Sequence, residues 1–243
     1  MTEILTGRPA TLAPNGMVTS PHSLASAAGV DVLRAGGSAV DAAVATSAAL
    51  SVLYPHMTGV WRLLLHEVFS KLGHRPHFFF DLVDPSGRSA DDIRAMLETL
   101  PMFELCGPVT LGLNGNEANI LARLTGLREA ASERDEVLRL AGELRGMLGL
   151  STVVIHRNKF AVGAGADDSA TVDGPHCARP VKSTGAGDRF NAGCIFGLLL
   201  GSGIEESIVL GCATAGLFVR TGESPTREAL SDFLRAWEVG FPE

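Results

Sequence analysis

Short apolar runs alternate with longer amphipathic stretches over residues 77–237, and this alternation restricts the fold more than any other feature of the chain. Apolar runs of about four to eight residues predict buried strands, and apolar positions that recur every three or four residues predict helices. Strands that alternate with helices predict a mostly parallel sheet with helices on its faces. The sequence therefore predicts an α/β domain from about residue 61 onward.

The predicted elements follow one another closely in this part of the chain. Strands are predicted at residues 77–83, 109–113, 152–156, 159–163 and 178–181. Helices are predicted at residues 61–72, 90–100, 116–124, 133–148, 190–200, 205–219 and 226–237. Two further helices, at residues 23–34 and 39–53, lie in a block rich in Ala, Ser and Gly before the composition changes near residue 60.

Composition and charge exclude several classes of protein. With 46% hydrophobic and 19% charged residues, the chain can bury a large core and is not expected to be disordered or fibrous. Its net charge of −7 and scattered basic residues predict that nucleic acid is not a partner. No export signal or membrane-length apolar run is present, so no membrane partner is expected. Four cysteines without a Cys-x-x-Cys pair predict reduced thiols and a cytoplasmic protein.

A glycine-rich turn, Thr184-Gly185-Ala186-Gly187, immediately precedes Asp188 and an apolar helix. Backbone N–H groups at a helix start lack intrahelical acceptors and, with the helix dipole, bind anions such as phosphate. A carboxylate beside such a turn could accept a proton from a hydroxyl while the amides stabilise a phosphoryl group in transfer. The alternative is an ordinary glycine-rich turn with an Asp in the first helical turn.

A second polar motif, Asn114-Gly115-Asn116-Glu117, follows the predicted strand at residues 109–113 and opens a helix. The carboxyl ends of strands are where α/β sheets bind ligands. An amide and a carboxylate there could orient a hydrated Mg²⁺ ion that bridges nucleotide phosphates. The alternative is a helix N-cap formed by Asn114, with Glu117 in the first turn.

Three motifs in this order resemble the carboxyl-terminal part of a ribokinase-like (PfkB) carbohydrate kinase over residues of about 61–237. They are Phe79-Phe80-Asp81-Leu82-Val83-Asp84-Pro85, Leu111-Gly112-Leu113-Asn114-Gly115-Asn116-Glu117-Ala118 and Ser183-Thr184-Gly185-Ala186-Gly187-Asp188-Arg189-Phe190-Asn191-Ala192-Gly193. The resemblance implies a ribokinase-like fold and transfer of the γ-phosphoryl group of ATP to a sugar hydroxyl.

The resemblance also implies a role for each site residue. Asp188 would be the catalytic base. The anion hole and nucleotide-binding residues would be Thr184, Gly185, Ala186, Gly187, Asn114 and Glu117. Glu117 would act on Mg²⁺ through water. Many members carry Asp-Thr-Thr before Gly-Ala-Gly-Asp, whereas this chain has Lys182-Ser183-Thr184, so Lys182 either contacts phosphate or faces solvent.

The first 60 residues resemble the start of a γ-glutamyltransferase large subunit. The matching pieces are Ser20-Pro21-His22-Ser23-Leu24-Ala25, Leu33-Arg34-Ala35-Gly36-Gly37-Ser38-Ala39-Val40-Asp41-Ala42-Ala43-Val44-Ala45 and Tyr54-Pro55-His56-Met57-Thr58-Gly59. A competing interpretation assigns Gly36, Gly37 and Asp41 to the substrate motif of the sugar kinases, with Asp41 where that family has Asn. We therefore predict a helical segment at residues 1–60 and a nucleotide-binding and catalytic domain at residues 61–243.

The resemblance to the kinases omits most of their amino-terminal half, so the expected fold is a truncated one with an added helical segment. Two other functions stay open: a catalytically impaired nucleotide-binding or interaction domain, and a γ-glutamyl hydrolase or transferase. The second is less favoured because the segments that supply its nucleophile are absent. A truncated sheet would have an unpaired edge strand, which favours a homodimer.

Overall fold

The chain divides into two units, Met1–Pro55 and His56–Glu243. The structure, a computed structural model, describes residues 16–18, 23–53, 58–82 and 84–238. Parts of the sequence motifs, namely residues 20–22, residues 54–57 and Val83, lie outside the described residues.

The first unit contains a pair of helices, α1 (Ser23–Arg34) and α2 (Ala39–Leu53), whose bounds match the predicted ones. Gly36 turns the chain between them with φ of +88°, a left-handed conformation that favours glycine. The two helices pack closely, because a side chain on Gly29 would begin only 3.0 Å from the carbonyl oxygen of Ala42.

A five-stranded sheet forms the centre of the second unit, and its strands lie side by side in chain order. The strands are β1 (Phe78–Asp81), β2 (Val109–Asn114), β3 (Thr152–His156), β4 (Phe160–Ala164) and β5 (Ser169–Asp173). β1 pairs with β2, and β2 with β3, in parallel, whereas β3–β4 and β4–β5 are antiparallel. The sheet is therefore mixed, with its parallel pairings confined to the first three strands.

The short connections after β3 explain why half of the pairings are antiparallel. Only residues 157–159 join β3 to β4, and a parallel neighbour needs a crossover of about a dozen residues or more. The predicted strand at residues 178–181 is wrong, because those residues form bends and irregular structure. The fifth strand is instead β5, whose Ala170 and Val172 are buried while its other residues are exposed.

Helices cover both faces of the sheet. They are α3 (Thr58–Glu67), α4 (Ala90–Thr99), α5 (Gly115–Thr125), α6 (Arg134–Leu148), α7 (Ala186–Leu199), α8 (Ile204–Thr221) and α9 (Arg227–Glu238). Val153 and Ile155 of β3 join the core beneath α5 and α6, whereas Val154 joins the core beneath α7 and α8. Within the described part of the chain, every helix is too short or too polar to cross a lipid bilayer.

Candidate active site

Three polar residues end the parallel strands at one edge of the sheet. Asp81 ends β1, Asn114 ends β2 and His156 ends β3, with Asn114 and His156 directly opposite each other in the register. The carboxyl ends of parallel strands commonly form ligand sites in α/β sheets. The amino-terminal turn of α7 reaches the same region, since a side chain on Gly187 would meet His156.

The turn at residues 184–187, called here the cradle, presents backbone amides at the start of α7. Gly185 is the N-cap and has φ of +91°, which a residue with a side chain rarely adopts. The Ala186 amide donates to the Ser183 carbonyl oxygen over 3.0 Å, so it is not free to bind an anion. Among the described residues, the amides of Gly185, Gly187 and Asp188 have no acceptor. The Ala186 amide thus has a local partner, whereas the other three amides do not, and anion binding at this turn stays a prediction.

The Asp188 side chain is exposed in the first turn of α7. It lies close enough to His156 and Asp81 to influence the pKa of both. This carboxylate is next to the free amides. A base that accepts a proton from a hydroxyl beside a bound phosphoryl group needs such a position.

Asn114 and Glu117 form a capping box at the start of α5. The Asn114 Oδ1 accepts from the amides of Asn116 and Glu117 at 2.9 Å, and Glu117 Oε2 accepts from the Asn114 amide at 2.7 Å. The helix-capping alternative is therefore present in the structure. Binding of Mg²⁺ by Glu117 stays a prediction.

Glu117 is nevertheless an unusual capping residue because its side chain is buried, with 5% of the residue exposed. Burial, with a smaller contribution from the negative charges of Asp81 and Asp84, raises the pKa of Glu117 to about 7 against the lowering effect of the Asn114 amide. A cation bound nearby would favour the ionised carboxylate.

Asp81 and Asn191 form a pair that the sequence motifs contain but to which no role was assigned. Asp81 is exposed at the end of β1, but its partial removal from water and the charge of Asp188 raise its pKa to about 6, against the lowering effect of a hydrogen bond with Asn191. The Oδ1 atom of Asn191 is buried and has no hydrogen-bond partner among the described residues. The site thus gathers carboxylates from β1, α5 and α7.

His156 was not among the predicted site residues, although its position at the end of a predicted strand was a signal. Its ring lies 4.9 Å from the ring of Phe190, centroid to centroid. Burial lowers the pKa of His156 to about 4, against a weaker raising effect of Asp188. The imidazole is therefore neutral at physiological pH.

A cavity of about 380 Å³ adjoins the cradle and has His156 in its wall. Its other walls come from the segment after β5 and from α8, and they include Pro175, Ala215, Gly216 and Val219. A volume of this size is at the lower end of the range for small-molecule sites. Ala186 and Gly187 at the start of α7 also line this cavity.

Lys182 and Arg189 place two cations beside the cradle. Lys182 Nζ lies 5.5 Å, and Arg189 Cζ 4.9 Å, from the centre of the buried Phe218 ring. Such cation–π contacts hold a positive charge over an aromatic face. A side chain on Gly185 would begin 3.7 Å from Phe218 Cζ, so this ring also adjoins the cradle.

Gly36, Gly37 and Asp41, the predicted substrate residues, lie in the first unit and have local structural partners. The Gly37 amide donates to the Val32 carbonyl oxygen over 2.9 Å. Asp41 Oδ2 accepts from the hydroxyl and the amide of Ser38, both over 2.8 Å, and these bonds lower the pKa of Asp41. Their part in substrate binding stays a prediction.

Within the described residues, no group of three or more His, Cys, Asp or Glu side chains could hold a metal ion by itself. Magnesium in phosphoryl-transfer sites commonly uses one or two carboxylates, water and the phosphates of the substrate. The carboxylates of Glu117 and Asp81 fit this kind of site.

Comparisons with known proteins agree with the motifs. The model of the family described as prokaryotic ketohexokinase matches residues 19–237. A ketohexokinase of Haloferax volcanii is 34% identical over 190 residues, which cover 77% of this chain and 48% of the relative. A glutathione hydrolase-like proenzyme of Bacillus subtilis is 66% identical over 44 residues, 18% of this chain and 8% of that protein. The chain thus spans about half the length of the ketohexokinase that it matches.

Solved structures show the same fold. A ribokinase from Thermotoga maritima superposes with a TM-score of 0.52 and 20% identity, covering 70% of this chain and 52% of that one. The phosphofructokinase-2 of Escherichia coli, in complex with substrates and products, gives a TM-score of 0.52 and 15% identity, covering 73% and 62%. These matches confirm the α/β, ribokinase-like fold class, and the sequence matches confirm both predicted resemblances, to the carbohydrate kinases and to the γ-glutamyltransferase type.

Proposed function

Because the chain belongs to the prokaryotic ketohexokinase family, we propose that it is an ATP-dependent sugar kinase, which transfers the γ-phosphoryl group of ATP to a sugar hydroxyl. The observation that carries the proposal is the arrangement at the start of α7, where free amides and the Asp188 carboxylate share one helical turn beside a cavity. A ketohexose is the first sugar to test, because the Haloferax relative is named a ketohexokinase.

In the proposed reaction, the amides of Gly185, Gly187 and Asp188 bind phosphate oxygens and stabilise negative charge on the phosphoryl group during transfer. The Asp188 carboxylate accepts the proton of the attacking sugar hydroxyl. Lys182 and Arg189 add positive charge at the same end of α7, where it attracts the nucleotide.

Magnesium bound with ATP would neutralise part of the charge on the phosphates. Glu117, through water, and Asp81 are the residues that would hold the ion, with Asn114 fixing Glu117 through the capping box. The raised pKa values of Glu117 and Asp81 support this role, because a site that disfavours two bare carboxylates gains from a divalent cation.

The experiment replaces the proposed base. In D188N, we expect phosphorylation of fructose to fall by about 10² to 10⁴-fold, the usual contribution of a general base, while ATP binding stays within a few-fold. ATP binding is retained because the cradle donors are backbone amides. The measurements are a coupled assay of ADP release and calorimetric titration with ATP.

A matched control is D91N, since Asp91 is likewise an exposed acid in the first turn of a helix, α4. It removes the same helix-dipole interaction and should leave activity unchanged. If D188N keeps activity within a few-fold of the unmodified chain, Asp188 is not the base.

A second candidate function follows from the length of the chain, which spans about half of the ketohexokinase relative. In this alternative, the chain binds nucleotide without transferring phosphate and acts as a catalytically impaired binding domain. ATP-dependent thermal stabilisation without a further shift from any sugar, and without ADP release, would favour it.

The remaining assignments belong to the same proposal. The four cysteines are free thiols, as is usual in a reducing compartment, which supports a cytoplasmic location. We assign residues 1–60 to a helical γ-glutamyltransferase-like segment and residues 61–243 to the kinase domain, without a catalytic role for the first. The family match begins at residue 19, which also supports the competing assignment of Gly36, Gly37 and Asp41 to sugar binding.

A further inference from the structure

His156 adjoins the cradle, yet the proposed reaction gives it no role. Its Cε1 and Nε2 atoms lie 3.3 and 3.5 Å from the point where a side chain on Gly187 would begin. Nε2 is therefore the ring nitrogen that faces the cradle. A side chain at position 187 would make a tight contact with the imidazole, so the ring lies directly against the start of α7.

Neither ring nitrogen of His156 has a hydrogen-bond partner among the residues that the structure describes, although the ring stacks on Phe190 and lines the cavity. Neither nitrogen is among the fully buried atoms that lack a partner, so solvent reaches the ring, and a ligand in the cavity can take the place of that water as hydrogen-bond partner. The ring is neutral because burial lowers its pKa to about 4. It therefore offers one N–H donor without adding a charge.

The surroundings of His156 divide the cavity into a polar and a mixed part. The free amides of Gly187 and Asp188, together with the Asp188 carboxylate, lie on the polar side of His156. The remaining wall is mixed: it is apolar at Pro175, Ala215 and Val219 and polar at Arg157, Asn158 and His176. A nucleotide placed with its phosphates at the amides would leave its base against this remaining wall.

We propose that His156 binds the phosphate chain of the nucleotide, donating a hydrogen bond from Nε2 to an oxygen that the amides of Gly187 and Asp188 also hold. This inference rests on the proposed function, because it requires that a nucleotide phosphate occupies the cradle. It adds a side-chain donor to a site that otherwise binds phosphate through the backbone.

The test compares ATP with adenosine, which lacks the phosphates, by calorimetric titration. In H156F, which keeps an aromatic ring against Phe190 but removes the donor, we expect the Kd for ATP to rise about tenfold or more. The Kd for adenosine should stay unchanged. In H156Q, whose amide nitrogen can occupy the Nε2 position, most of the ATP affinity should return.

Two further variants keep the test decisive. H74F changes an exposed histidine outside the lining of this cavity and should leave ATP affinity within a few-fold. Should H156F fail to fold, H156N replaces it, because the shorter side chain places its amide at the Nδ1 position and falls short of Nε2. H156N should then lose ATP affinity that H156Q keeps.

Each outcome decides one question. Equal losses for ATP and adenosine in H156F would place the contact on the base or ribose and overturn the inference, as would unchanged ATP affinity. If the unmodified chain binds adenosine but gains nothing from the phosphates, the proposed kinase function fails and the inference fails with it. A loss confined to ATP, restored in H156Q, supports the inference.

Discussion

Glu117 is a buried carboxyl group that keeps its proton to a higher pH in the folded chain than in the unfolded chain. Its pKa rises from 4.5 to about 7, chiefly through burial. Between these two values the folded chain binds more protons at this residue than the unfolded chain does. The raised pKa of Glu117 therefore stabilises the fold fully below pH 4.5, and this stabilisation is lost as the pH rises through about 7.

The variant E117Q isolates this effect, because glutamine stays neutral and can still complete a capping box. We expect the unmodified chain to lose about 2 to 3 kcal/mol of unfolding free energy relative to E117Q between pH 5 and pH 8. The measurement is urea unfolding at both pH values without magnesium. Asp81 and His156 are present in both proteins, so their own titrations largely cancel, and parallel pH profiles would contradict the prediction.

The sequence predicts some site residues better than others for a physical reason. Asn114, Glu117 and Asp188 lie in local motifs where a turn and a helix start follow one another, so a short stretch of sequence specifies their geometry. The role of His156 depends on burial and on Gly187, which lies on another element. The sequence shows that a histidine ends the strand, but it does not show whether the ring nitrogens have hydrogen-bond partners.

At the scale of elements, α7 is held against α8 by glycines that allow a close approach. A side chain on Gly193 of α7 would begin 2.4 Å from the Leu210 carbonyl oxygen, and one on Gly197 would begin 2.7 Å from Ser207 Cα. A side chain on Gly211 of α8 would likewise begin 2.9 Å from the Phe190 ring, so the missing side chain makes room for that ring. Because α7 carries the cradle at its start, this packing positions the proposed anion site.

We expect G193A to destabilise the fold by about 1–3 kcal/mol, because the added methyl group forces the two helices apart. It should also weaken ATP binding by displacing the start of α7. The measurements are thermal unfolding and titration with ATP.

The matched control is G146A, on the exposed side of α6, where a side chain would meet nothing within 4 Å. Alanine is the better helix former, so this variant should be stabilised by about 0.5–1 kcal/mol. Equal stability changes of the same sign in both variants would contradict the packing argument.

Most elements follow from apolar periodicity, and the two exceptions lie next to each other in the chain. Ser169–Asp173 alternates exposed and buried residues, but its buried positions are only Ala170 and Val172, which give a weak apolar signal. Residues 178–181 include Pro180, which cannot donate to a strand ladder. Strand assignment at this end of the sheet therefore needed tertiary contacts as well as local pattern.

At the scale of the whole molecule, β1 is an edge strand that pairs only with β2 among the described residues. Unpaired edges are commonly covered or paired with a second chain. We predict a homodimer, to be measured by light scattering across micromolar concentrations. A monomer at every concentration, with cooperative unfolding, would contradict it.

The sugar is the part of the function that neither the motifs nor the cradle specifies. The cradle amides would contact phosphate and Asp188 the reacting hydroxyl, so neither distinguishes one sugar from another. Selectivity needs groups that hydrogen-bond the other hydroxyls. Gly36, Gly37 and Asp41 are the only sequence-predicted residues for that task, and each already has a local structural explanation.

The strand order of the sheet has a consequence for synthesis on the ribosome. Since every strand lies beside the one that precedes it in the chain, each can pair as soon as it emerges, without waiting for a distant partner. α7 follows all five strands, so the cradle is completed only after the sheet exists. The same helix and α8 also cover one face of the sheet, so that face is buried only when the last part of the domain has been made.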